Sequence, residues 1–180
     1  MDQEQIQYQV IRSKRKNLSI QVRNGEVLVR CPYGLRERTI EDFVISKQAW
    51  IKKHLQKQSQ LKQLPAYSSN EILSLKKLAQ EDISRRVAYY APLVGISYNK
   101  VTIRHQKSRW GSCSNKGNLN FNCLLMLTPE SVRDYVVVHE LCHRKQMNHS
   151  SLFWAEVFRI LPDAKISRKW LKDHEQEILR

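Results

Sequence analysis

Residues 135–149 read Tyr135-Val136-Val137-Val138-His139-Glu140-Leu141-Cys142-His143-Arg144-Lys145-Gln146-Met147-Asn148-His149. His139 and His143 are four positions apart, so on an α-helix their imidazoles share one face and can reach one metal ion. Glu140 then lies beside the ion, where its carboxylate can take a proton from a metal-activated water. His149 supplies a third imidazole, and three protein ligands with one open position are typical of catalytic zinc. This stretch predicts a zinc hydrolase site on a helix.

Two other interpretations of the stretch stay open. A buried helix can carry His139 and His143 as hydrogen-bonded core side chains without any metal. If the pair does bind zinc, Glu156 is an alternative third ligand to His149, because some zinc enzymes use two histidines and a glutamate from a following helix.

The residues around the motif favour a helical, buried setting. Thr128-Pro129-Glu130 is typical of a helix start. Apolar residues then recur at helical spacing, and the run at 136–138 indicates that little of this helix faces water. Ser150 or Ser151 is expected to cap a second helix, and residues 164–178 predict a last, more polar helix.

Several stretches along the chain form a recognisable series. They are Ser13-Lys14-Arg15-Lys16-Asn17-Leu18-Ser19-Ile20, Lys47-Gln48-Ala49-Trp50-Ile51, Ser108-Arg109-Trp110-Gly111-Ser112-Cys113-Ser114, Asn120-Phe121-Asn122 with Leu124, and the histidine block through Asn148-His149-Ser150 and Phe153-Trp154. In this order they resemble the YgjP-like family of predicted zinc metallohydrolases, which are similar to zincin metallopeptidases and include a bacterial UTP pyrophosphatase. The resemblance implies His139, His143 and His149 as ligands and Glu140 as catalytic acid/base.

The first third of the chain has a strand-like pattern. Residues 7–10, 18–22 and 27–30 alternate apolar with polar side chains, and Asn24-Gly25 is a typical hairpin turn. Residues 36–64 predict one long helix, whose buried face is expected to comprise Phe43, Ile45, Trp50, Ile51 and Leu55. We therefore expect residues 1–64 to form a small β-rich subdomain with a long connecting helix.

Residues 65–180 predict a zincin-like metal-binding catalytic domain, which makes the fold class α+β. After a linker at 65–70, the pattern indicates a helix over 71–93 and strands at 101–104 and 119–122. In zincin folds an edge strand lies above the metal helix and pairs with an extended substrate. Residues 108–114 and 119–123 are expected to form this upper wall of the cleft.

Two residues of the expected wall carry chemistry. Arg109 is predicted to donate to a substrate oxyanion or phosphate, and its alternative role is a structural ion pair. Cys113 is either a structural thiol or a residue close to the metal.

Composition indicates the cellular location of the protein and the state of its cysteines. No apolar run reaches 18 residues and residues 1–5 do not resemble a signal peptide, so we expect a soluble cytoplasmic protein with no membrane association. The four cysteines show no C-x-x-C pairing, which favours free thiols over disulfides.

The net charge of +14 is unevenly distributed. By segment it is +7 in residues 1–64, +6 in 65–128 and +1 in 129–180. The predicted N-terminal strands and their connections carry many of the bases, namely Arg12, Lys14, Arg15, Lys16, Arg23 and Arg30. A polyanionic partner such as nucleic acid is therefore plausible for this region, as is an ordinary solvated surface.

The leading hypothesis is a zinc-dependent metallopeptidase that uses a metal-activated water and Glu140 as general base. A nucleoside triphosphate (UTP) pyrophosphatase is the alternative enzyme, for which Mg²⁺ or Mn²⁺ would suit the phosphate oxygens better. A basic nucleic-acid-binding module with a structural zinc is a third class.

Overall fold

A computed structural model describes residues 6–23 and 25–180, with the side chain of Lys62 left out of the description. The chain divides into two compact units, Met1–Pro65 and Ala66–Arg180. Both contain helices and strands, so the predicted α+β class is confirmed.

The first unit is built on a three-stranded sheet. Its strands are β1 (Gln9–Ser13), β2 (Ser19–Arg23) and β3 (Glu26–Pro32), in the order β1-β3-β2. β2 and β3 pair antiparallel as the predicted hairpin, whereas β1 joins β3 in parallel. Asn24 of the predicted turn lies outside the described residues, and Gly25 takes a φ of 87° that favours glycine.

The long helix predicted over residues 36–64 is wrong as a single element. The structure has two helices there, α1 (Glu37–Ser46) and α2 (Gln48–Gln63), separated at Lys47. The Ser46 hydroxyl donates to the Phe43 carbonyl at 2.7 Å, and such side-chain bonds to the helix backbone bend helices.

The predicted buried face of this region also needs correction. Ile45 and Trp50 are 67% and 42% exposed, whereas Ile51 is buried as predicted. The core of the first unit is instead completed by Ile40 and Val44, which pack with alternate residues of β3.

The second unit begins with a long helix and a second three-stranded sheet. Its elements are α3 (Ser69–Val94), β4 (Lys100–Arg104), β5 (Gly111–Cys113), β6 (Asn118–Asn122), a 3-10 helix (Cys123–Leu127), α4 (Glu130–Cys142), α5 (Ser151–Ile160) and α6 (Ala164–Ile178). A capping box between Ser68 and Glu71 begins α3, and Gly95 ends it with a φ of 76°.

The second sheet places one strand over α4. Its order is β4-β6-β5, with β4 parallel and β5 antiparallel to β6. β6 is therefore the central strand, and its Leu119 and Phe121 are fully buried. β5, which the sequence pattern did not predict because it is only three residues long, is an edge strand that packs against α4.

The core of the second unit surrounds the motif helix. Residues 136–138 and 141–142 of α4 are almost fully buried and pack in one apolar cluster with α3, β6 and α5. Rigid packing of this kind holds the side chains on α4 in defined positions. Among the described helices, none is both long and apolar enough to cross a bilayer.

Candidate metal centre

The three motif histidines lie at the end of α4 and in the turn that follows it. His139 is in the last turn of α4, while His143 is its C-cap residue and keeps helical angles of −62° and −17°. His149 lies just before α5, which Ser150 caps by accepting from the Phe153 N–H. The Asn148 side chain accepts from the Ser150 N–H at 3.3 Å and so closes the turn that carries His149.

The imidazole nitrogens of these histidines converge. His139 Nε2 lies 3.3 Å from His143 Nε2 and 3.1 Å from His149 Nε2, and ligand atoms of all three residues lie within 4.8 Å of one another. Zinc bound tetrahedrally to nitrogens at ~2.05 Å would place neighbouring ligand nitrogens about 3.3 Å apart. The spacing of the donors therefore fits a zinc ion.

A hydrogen bond sets the tautomer of His143, and ring packing restrains all three imidazoles. His143 Nδ1 lies 3.0 Å from the Gln146 carbonyl oxygen. A carbonyl only accepts, so Nδ1 carries the proton and Nε2 keeps its lone pair for a metal. The Phe153 ring packs against all three imidazoles, with centroids 4.6–4.9 Å away, and restrains their orientation.

The surroundings of His139 and His143 favour the neutral form of these two imidazoles. Burial, together with the neighbouring His143 and His149 and the charge of Arg168, lowers the pKa of His139 to about 3. Burial also lowers the pKa of His143. Neutral imidazole is the form that binds metal, so His139 and His143 are competent ligands over the neutral pH range.

Glu140 lies next to this cluster but is not part of it. Its side chain is 6% exposed, and burial raises its pKa to about 8, an effect that the charge of Arg109 opposes. Position 140 is about 100° around α4 from position 139, which directs the carboxylate toward β5. A cavity of about 230 Å³ opens there, lined by Glu140, His139 and Gly111 together with Trp110, Tyr135, Val136 and Leu171.

Gly111 allows β5 to approach Glu140. A Cβ at position 111 would lie 2.7 Å from Glu140 Oε1 and 2.8 Å from its Cγ, which is closer than real contacts allow. Any other residue at 111 would push the strand or the carboxylate away. Glycine in the Trp110-Gly111-Ser112 stretch thus has a steric reason that sequence reasoning did not find.

No strand of residues 6–23 or 25–180 pairs with the outer edge of β5. The Trp110 carbonyl accepts from Asn122 N–H and Ser114 N–H donates to the Asn118 carbonyl, so these pairs hold β5 to β6. Hydrogen-bonding direction alternates along an antiparallel strand. Gly111 and Cys113 therefore direct their N–H and C=O groups away from β6, toward the open edge above α4.

Asn122 is a second residue whose role sequence reasoning missed. It is fully buried, and its amide donates to the Gln106 and Arg109 carbonyls at 2.6 and 3.0 Å while its oxygen accepts from Leu124 N–H. These bonds hold the 106–110 loop, which leads into β5. Asn122 belongs to the motif series, but it falls at a polar position of the alternating stretch 119–122, so the pattern does not indicate its burial.

The remaining residues that the sequence singled out have other surroundings than the histidines. Arg109 is exposed, and no ion pair to its side chain occurs among the described residues; its charge acts on Glu140. Cys113 is half-buried, its thiol donates to the Ser114 carbonyl, and burial raises its pKa. Glu156, the alternative ligand, instead forms ion pairs with Lys145 and Arg159 at 2.6 and 2.7 Å.

Lys14, Arg15 and Lys16 lie in the β1–β2 connection, and nucleic-acid binding there stays a prediction.

The sequence matches the family described as YgjP-like, metallopeptidase domain, over residues 16–75 and 69–174. The chain belongs to the YgjP-like family. The resemblance drawn from its motifs is thereby confirmed, and the family supports a metal-dependent hydrolase.

A similar solved structure is the metallopeptidase zymogen of Pyrococcus abyssi abylysin, with 26% identity and a TM-score of 0.46 over 51% of this chain and 93% of that chain. No curated protein is similar enough in sequence to count as a match.

Proposed function

We propose that the protein is a zinc-dependent peptidase in which His139, His143 and His149 hold the metal and Glu140 is the general base. One observation carries this proposal. Three imidazole nitrogens converge at zinc-ligand spacing beside a buried carboxylate, near an edge strand that pairs on one side only among the described strands. The combination of metal ligands, base and peptide-binding edge fits peptide hydrolysis better than metal storage or a structural role.

Glu140 and Arg109 have separate roles in the proposed hydrolysis. When bound, zinc supplies Lewis-acid activation of a water molecule and a positive charge that favours the ionised form of Glu140. The Glu140 carboxylate takes the proton of the attacking water and passes it to the leaving amine. Arg109 donates to the negative charge that develops on the carbonyl oxygen of the scissile bond.

The substrate chain binds as an added strand. Gly111 and Cys113 offer their outward N–H and C=O groups to its backbone, which gives affinity without dependence on side chains. Because Gly111 lies directly against Glu140, a peptide paired with β5 has its carbonyl groups close to the carboxylate. The absence of a side chain at position 111 is therefore part of the catalytic geometry.

A comparison of wild type with Glu140→Gln tests the proposal. Purified protein is analysed for zinc and assayed on a peptide library and on nucleoside triphosphates, with UMP and pyrophosphate measured for UTP. We expect peptide cleavage that a chelator abolishes and zinc restores. Glu140→Gln should retain zinc and lose roughly 10²–10⁴-fold in kcat, the scale of a lost general base. Release of pyrophosphate from UTP without peptide cleavage would support the alternative enzyme and contradict this one.

A further inference from the structure

A row of four basic residues runs along one face of α6. Lys165, Arg168, Lys169 and Lys172 follow the spacing i, i+3, i+4 and i+7, so their side chains point in one direction. All four are exposed. We call this row the basic stripe.

The basic stripe lines a groove that has an aromatic floor. A cavity of about 590 Å³ is bounded by the four stripe residues and by Trp154 and Phe158 of α5. The two rings stack with centroids 5.9 Å apart. Arg168 lies over the Trp154 ring at 4.5 Å and Lys165 over the Phe158 ring at 5.4 Å, so cation–π contacts hold two of the cations in place.

The groove adjoins the metal centre. Trp154 lies in ring contact with His139 and His149, with centroids 6.0 and 5.9 Å apart. A single indole ring therefore separates Arg168 from these imidazoles. An extended peptide advances about 3.3 Å per residue, so a chain cleaved at the histidines reaches the groove within about three residues.

The stripe cations differ from the other bases of the C-terminal region. Arg133, Lys145 and Arg159 form ion pairs with carboxylates, Arg144 donates to the Ser97 and Asn115 carbonyls, and Arg180 donates to the Tyr67 hydroxyl. No ion pair joins the stripe to any carboxylate in residues 6–23 or 25–180. The net charge of +1 over residues 129–180 therefore hides a local concentration of unpaired positive charge.

We propose that this groove is a specificity subsite for an acidic side chain, aspartate or glutamate, of the peptide substrate, within three residues of the scissile bond. The inference rests on the proposed peptidase function. Four convergent cations attract and orient a carboxylate, and the Trp154–Phe158 floor packs against its methylene groups. The subsite selects the substrate without taking part in bond cleavage.

Matched peptides test the subsite. A peptide cleaved by the enzyme is made with glutamate or isosteric glutamine at each of the three positions on either side of the scissile bond. We expect kcat/KM to be about tenfold or more higher for glutamate at one position, and this advantage to shrink as salt is raised.

Charge reversal identifies the groove as the source of the preference. Lys169→Glu/Lys172→Glu leaves the Arg168 and Lys165 ring contacts in place and should lower kcat/KM for the glutamate peptide about tenfold or more, with the glutamine peptide nearly unchanged. Lys77→Glu/Lys100→Glu is the control, because it changes the net charge by the same amount at exposed positions of α3 and β4. This variant should preserve the preference for glutamate. Zinc content, measured for every variant, shows that the metal centre is intact.

A binding experiment separates failure of the acidic subsite from failure of the peptidase function. Zinc-loaded Glu140→Gln protein is titrated with the glutamate and glutamine peptides, and binding is followed by calorimetry. Where no peptide is cleaved, the titration uses seven-residue peptides that carry only glutamate or only glutamine in an alanine background. Tighter binding of the glutamate peptide, lost in the Lys169→Glu/Lys172→Glu background, supports the groove whether or not the peptide is cleaved. Equal affinities and equal kcat/KM values for the two peptides would overturn the subsite while leaving a peptidase intact. Stripe-dependent hydrolysis of a nucleoside triphosphate in place of peptides would also overturn it.

Discussion

At the scale of single residues, the identity of the third ligand decides the chemistry of the centre. We expect His139→Ala, His143→Ala and His149→Ala each to lower the zinc content of purified protein. Glu156→Ala should retain it, because that carboxylate is held by Lys145 and Arg159 away from the histidine nitrogens. Metal analysis after dialysis measures the effect. Full zinc in His149→Ala together with loss in Glu156→Ala would reverse the assignment.

The contact between Gly111 and Glu140 is a second test at this scale. Gly111→Ala places a methyl group 2.7 Å from the carboxylate, so we expect kcat/KM to fall about 10–100-fold and stability by about 1–3 kcal/mol. Gly34→Ala is the control, since no atom lies within 4 Å of its added Cβ, and it should change neither quantity measurably. Unaltered turnover in Gly111→Ala would show that this contact does not position the base.

At the scale of elements, Asn122 joins the central strand to the loop that leads into β5. Asn122→Ala leaves the Gln106 and Arg109 carbonyls without their donor and removes a fully buried amide, so we expect a loss of about 2–4 kcal/mol in the free energy of unfolding. Asn99→Ala removes an exposed amide bonded to Asn118 and should cost less than about 1 kcal/mol. Urea unfolding measures both variants, and equal losses of unfolding free energy would contradict this role of Asn122.

At the scale of the whole molecule, metal binding should be coupled to folding of the second unit. The ligands come from α4 and from the turn before α5, so a bound zinc links segments that separate on unfolding. Free zinc at 1,000-fold above Kd would add about 4 kcal/mol to stability. Scanning calorimetry with and without chelator should show a lower midpoint without zinc, and His139→Ala should show no such difference. An unchanged wild-type midpoint would contradict the coupling.

Local spacing in the sequence was enough to predict much of the centre. A helix repeats every 3.6 residues whatever surrounds it, so the positions of His139, Glu140 and His143 already placed two imidazoles on one face and the carboxylate beside them. The same local rules predicted the β2–β3 hairpin and α6, and the motif series identified the family. The prediction of one long helix over residues 36–64 was wrong because the backbone leaves helical geometry at Lys47, with a φ of −107° and a ψ of 7°, and hydrophobic periodicity does not register such a break.

What only the tertiary structure decided depends on contacts between distant residues. Gly111 and Glu140 are 29 positions apart, and the need for glycine exists only because β5 packs on α4. The edge position of β5 follows from the order in which three strands pair. Residues 129–180 carry almost balanced charge, but folding pairs the acids with some bases and leaves the stripe cations together on α6, beside the aromatic rings of α5. The sequence determines which side chains are present and which of them share a face of a helix or strand. Tertiary packing determines which distant side chains come into contact.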